Sequence, residues 1–74
     1  MSHGFALRRL WPDGTHDYIR FSRTPGQAQR AITRDRRYWL KGPLRPVEYR
    51  VVAISEHDFL LHRRRRDCRA PDCP

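Results

Sequence analysis

The chain reads as an α+β domain. The expected architecture is a three-stranded antiparallel or mixed sheet with one main helix packed on one face, in the order strand-strand-helix-strand. A short C-terminal helix is an optional addition. Three observations lead there. Two β-rich runs flank Pro12-Asp13-Gly14-Thr15, a Thr-led cap opens a stretch of helical periodicity, and a β-branched run follows a Gly/Pro linker. With 74 residues there is room for one domain and a thin core.

The first two strands are expected at residues 5–11 and 16–22. Pro12 sets φ for an early turn position, and Asp13-Gly14 supplies a residue that accepts positive φ, so the pair should close as a hairpin. Thr24 suits a helix N-cap, Pro25 the first helical position, and Gln27 the acceptor site of a capping box. The helix should run over residues 25–40, until Gly42-Pro43 stop it. Ala28, Ile32 and Trp39 share its apolar face, flanked by Ala31 and Tyr38. Asp35 falls near that face, which places it at the end of the sheet or beside an Arg. Arg30, Arg34 and Arg37 line the opposite side.

Residues 47–54 read as the third strand, β-branched and alternating at its start. Ser55 followed by Asp58 resembles a second capping box, with Phe59, Leu60 and Leu61 on the short helix behind it. Residues 67–74 lack apolar periodicity, so the domain is expected to span 1–66 and to end in a flexible tail.

Strand alternation sorts the sheet into two faces. Phe5, Leu7, Trp11, Ile19, Phe21, Tyr49, Val51 and Ala53 should face the main helix. Arg8, Tyr18, Arg20 and Arg50 should lie on the other face, one Arg per strand, together with Leu10, Val52 and Ile54.

Charge is the strongest compositional signal. Sixteen Lys and Arg stand against eight Asp and Glu, a formal net charge of +8, and Lys41 is the only lysine. Such a balance attracts nucleic acid, acidic proteins or anionic surfaces. The longest apolar run, residues 51–54, is far too short to cross a membrane, and Arg8 and Arg9 interrupt the N-terminal apolar stretch where a leader would lie. With both Cys near the C-terminus, a reducing interior is the expected compartment.

Three cationic features compete as binding surfaces. Arg8, Arg20 and Arg50 on a sheet could reach base edges or phosphates, with Tyr18 stacking an unpaired base. The helix ridge could track phosphates. Arg63, Arg64, Arg65 and Arg66 form an electrostatic arm. Against each stands the ordinary alternative of a solvated charged face. His57, His62, Cys68 and Cys73 are zinc-binding residue types, but their spacing fits neither a helical ligand pair nor the tighter zinc loops, so no metal is expected. No nucleophile-base set, paired carboxylates or Gly-rich phosphate loop is present, so no catalytic residue is assigned and no enzyme or cofactor is expected.

The segments Leu10-Trp11-Pro12-Asp13-Gly14-Thr15, residues 24–31 and Tyr49-Arg50-Val51-Val52 resemble the short orphan accessory proteins of actinobacterial phages over residues 5–55. The resemblance implies a phage or phage-derived accessory protein working in the host cytoplasm, and it carries no site residues. The strand-strand-helix start is also similar in topology to integrase N-terminal and plant AP2-type DNA-binding domains. The expected function is therefore nucleic-acid binding through Arg8, Tyr18, Arg20, Arg50 and Arg63 to Arg66, DNA ahead of RNA. The alternative is an interaction module docking on an acidic host protein. No membrane partner is expected, and open sheet edges leave a homodimer available.

Overall fold

A computed structural model describes residues 3–63 and residue 65. The fold is α+β. Strand β1 (His3–Leu10) is central and antiparallel to both neighbours, β2 (His16–Ser22) and β3 (Glu48–Ser55), giving the spatial order β2-β1-β3. Helix α1 (Pro25–Trp39) joins β2 to β3, and helix α2 (Glu56–His62) follows β3 directly. The expected elements are present within two residues at each end. The tail, residues 67–74, lies outside the described residues, as do Arg64 and Arg66.

Local chemistry explains each boundary. Gly14 takes φ 88°, and Asp13 closes the turn by accepting hydrogen bonds from the Thr15 amide (3.0 Å) and hydroxyl (2.6 Å). Thr24 Oγ1 accepts from the Gln27 amide, and Gln27 Oε1 accepts from the Arg23 amide, so side-chain oxygens satisfy helix-start donors in both directions. Ser55 Oγ accepts from the Asp58 amide and starts α2 in the same way. The Gly42 amide bonds back to the Trp39 carbonyl at the end of α1.

The sheet is covered on both faces, so the core has two halves. Leu7, Ala31 and Ile32 pack with Ile19, Tyr49 and Val51 between the sheet and α1. Ala6, Tyr18, Ile54 and Phe59 pack with Phe21 and Val52 under α2. Trp11 and Trp39 meet edge to face at 5.2 Å. This double covering lets so short a chain bury Ala6, Leu7 and Tyr18 completely.

A charged bridge spans the α1 half. Arg9 faces Asp17 on β2 and Tyr49 on β3 across the sheet. Its guanidinium grips Asp17 through Nε (2.9 Å) and Nη2, and reaches Asp35 on α1 through Nη1 at 3.3 Å. Asp35 in turn accepts from the Tyr49 hydroxyl at 2.6 Å. Asp35 thus sits on the apolar helix face because an arginine beneath it supplies the countercharge. Burial opposes the charge on Arg9, yet the hydrogen bonds and charges of Asp17 and Asp35 outweigh it and raise its pKa. Burial first, then the bond to Asp35, push the Tyr49 phenol far above its ordinary value, so it stays a donor.

The structure corrects the expected face pattern on β2. Ala6 pairs with Phe21 and Leu7 with Ile19, which leaves Arg20 as an extra residue without a partner on β1. Arg20 takes φ 56°, the only described non-glycine residue with positive φ. The inserted residue reverses the alternation after it. Phe21 therefore turns away from α1 and packs at 5.7 Å on Phe59 of α2, and Arg20 leaves the sheet face for the β2 edge. Tyr18 does lie on the expected face, but α2 covers it, with 0% exposure, so it is a core residue and offers no stacking platform.

The bulge is testable by stability. A left-handed backbone costs a non-glycine residue about 1–2 kcal/mol. We expect Arg20→Gly to match or exceed the native chain in urea denaturation, and Arg20→Val to lose about 1–2 kcal/mol. Equal losses for both variants would mean that the backbone there is not held in this conformation.

Candidate nucleic-acid interface

The residues expected to share one sheet face are distributed over two edges. Arg50 lies on β3, the edge opposite Arg20. It faces Arg8 across the strands, lies 3.9 Å from Glu48, and with Leu10 these residues bound a small cleft. Arg8 is half-buried beside Tyr18, and its Nε is enclosed without a hydrogen-bond partner among the described residues. Arg63 and Arg65 are exposed beyond α2, and Arg63 forms a parallel bridge to Tyr18, which brings Arg63 alongside β2.

The β2 edge is where cations converge. Arg20, placed outward by the bulge, borders clefts on both of its sides. Toward α1 it shares a cleft of about 330 Å³ with Gln27, Arg30 and Arg34. Farther along the helix it meets Arg34 again beside Ile19 and Tyr38, and Tyr38 is 76% exposed. Toward α2 it borders a wider groove of about 670 Å³ with Phe21, Phe59, Leu60, Arg23 and Arg63. Among the described residues, none of Arg20, Arg30, Arg34 and Arg63 is ion-paired with a carboxylate. Asp35 lies at the floor, but it is engaged by Arg9 and Tyr49.

The helix ridge and Arg20 therefore belong to one surface. Strict alternation had separated them onto opposite sides of the molecule; the single inserted residue at the bulge joins them. No local signal marks it, because the residue in the left-handed position is Arg rather than the Gly that usually announces such a bulge. The arrangement provides several guanidinium forks on one rim, the geometry that accepts phosphate oxygens in pairs.

A cluster of aromatic rings lies beneath α2. His16 and His62 each meet the Tyr18 ring edge-on, at 5.8 and 5.5 Å. Burial, then the charges of Arg8 and His62, lower the His16 pKa from its ordinary 6.5. Tyr18 is pushed up by burial, against an opposing pull from Arg8. Among the described residues no three His, Cys, Asp or Glu side chains are grouped as a metal site, and Cys68 and Cys73 lie outside them. No described helix is long and apolar enough to cross a membrane.

The His16 environment sets a pH dependence. The unfolded chain accepts a proton on this ring near pH 6.5, whereas the folded chain resists it to lower pH. The stabilising contribution is complete above that value and is lost as pH falls from 6.5 through the lowered folded pKa. We expect urea midpoints to drop over this window, and the drop to be smaller in His16→Gln. An unchanged slope in the variant would assign the dependence to other groups.

No protein-family model matches the chain, and no curated protein or solved structure is significantly similar to it.

Proposed function

We propose that this is a small nucleic-acid-binding accessory protein whose contact surface is the β2 edge. The supporting observation is Arg20 itself: a non-glycine residue at φ 56° that stands between Arg30 and Arg34 on one side and Arg63 on the other. Strained backbone of this kind clusters at functional sites, where the gain from the side chain offsets the cost. Phosphates on the Arg20-Arg30-Arg34 rim would be held by charge-assisted bonds, with Arg63 to Arg66 adding contacts that carry no sequence information. Arg8 and Arg50 take a lesser part, because they lie across the sheet and Arg50 has Glu48 beside it. The excess positive charge alone would also serve an acidic protein partner; the row of guanidinium forks along one rim favours phosphates.

Fluorescence anisotropy with DNA and RNA oligonucleotides over a range of salt tests this. Arg20→Ala and Arg34→Glu should each weaken binding and flatten the salt dependence, by about one unit of slope per lost phosphate contact. Arg50→Ala should leave both nearly unchanged. Loss of binding in Arg50→Ala with native affinity in Arg20→Ala would move the interface to the β3 side. Absence of binding tighter than about 10⁻⁴ M at moderate salt would end the nucleic-acid reading and leave an acidic protein as the partner.

A further inference from the structure

We infer that the β2 edge takes a single strand with at least one unpaired base seated in the apolar groove beside α2. This rests on the nucleic-acid reading and adds the class of substrate. The two sides of Arg20 differ in chemistry. The α1 side is lined by Arg30, Arg34 and Gln27, and it suits phosphate and sugar. The α2 side has Phe21, Phe59 and Leu60 among Arg20, Arg23 and Arg63, with Glu56 paired to Arg23. Leu60 is 57% exposed at its mouth, a solvent-facing leucine with cations beside it.

A duplex has no use for that groove. Its bases are stacked and present only their edges, and phosphates need no apolar floor. An unpaired base presents an aromatic face about as wide as a side-chain ring, and it gains by leaving water against an apolar or guanidinium plane. Such a plane already exists at the rim: the Arg23 guanidinium lies 5.3 Å over the Phe21 ring and is held from the side by Glu56 at 3.6 Å. The groove, about 670 Å³, is large enough for a nucleobase, and its rim carries the charge that complements the phosphate attached to that base. On the outer sheet face the aromatic side chain that could stack a base, Tyr18, is covered by α2 and held in the core.

The experiment compares three ligands of equal length and label: a single-stranded DNA oligonucleotide, the same strand with abasic sites, and its duplex. A single-stranded RNA arm separates the two sources of unpaired bases. The intact single strand should bind about fivefold to a hundredfold more tightly than the abasic strand, the range expected from one stacked base. Leu60→Ser, a change at an exposed position, should remove most of that advantage and leave the abasic and duplex affinities as they were. Arg20→Ala should weaken all ligands alike. Equal affinity for intact and abasic strands, or tighter binding of the duplex, overturns the inference while the phosphate interface stands. If no ligand binds in any arm, the nucleic-acid reading itself fails.

Discussion

The pairing of Arg9 with Asp17 and Asp35 is the interaction on which the rest of the structure depends. It ties β1 to β2 within the sheet and to α1 above it, and Tyr49 extends the tie to β3. In a short chain with few large apolar residues, one charged bridge that touches four elements constrains register more narrowly than apolar contacts, which tolerate sliding. A one-residue slip of β2 would send Asp17 to the α2 face and leave Arg9 half-buried without its main countercharge. Trp11, whose ring lies 4.8 Å from the Arg9 guanidinium, closes the end of this network and carries it to Trp39.

The bridge also shapes the outer surface. Two of the chain's eight acidic residues are committed to a single interior arginine. Glu48 and Glu56 lie beside Arg50 and Arg23, and Asp13 serves the hairpin turn. The described acids thus lie in the interior, at the hairpin turn, on the β3 edge and at the start of α2. At the β2 edge Glu56 pairs with Arg23, whereas Arg20, Arg30 and Arg34 stand together on the α1 side without an ion-paired carboxylate among the described residues. On the α1 side of that edge the one nearby carboxylate, Asp35, is turned to Arg9 and Tyr49, so the guanidinium groups of Arg20 and Arg34 are not offset by it.

Much of the fold was legible because its signals are local. The Asp13-Gly14 turn, the Thr24 and Ser55 caps and the Gly42 stop each act within four residues, so spacing alone reveals them. Asp35 was also readable as a charge on an apolar helix face that needed either the end of the sheet or an Arg beside it. Which Arg was not readable, since Arg9 and Asp17 sit at strand positions where charges are ordinarily solvated. The candidate site was less legible. Arg20 and Arg63 line the clefts of the β2 edge, whereas α2 covers Tyr18; Arg30 and Arg34 stand beside Arg20 because one bulge without a glycine takes it off the sheet face. The basic arm beyond Arg63 remains an element of charge, with Arg64 and Arg66 outside the described residues.

If the Arg9 bridge organises the domain, its removal must cost far more than an exposed ion pair. A chain of 74 residues has a total stability of about 4–11 kcal/mol. The direct measurement is urea denaturation of Arg9→Met beside a variant that also carries Asp17→Asn and Asp35→Asn. Arg9→Met is expected to lose about 3 kcal/mol or more, because the buried Asp17 and half-buried Asp35 carboxylates are left without their countercharge, with substantial recovery when both are neutralised. A loss under about 1 kcal/mol, the range of surface pairs, would show that the apolar core holds the register without the bridge.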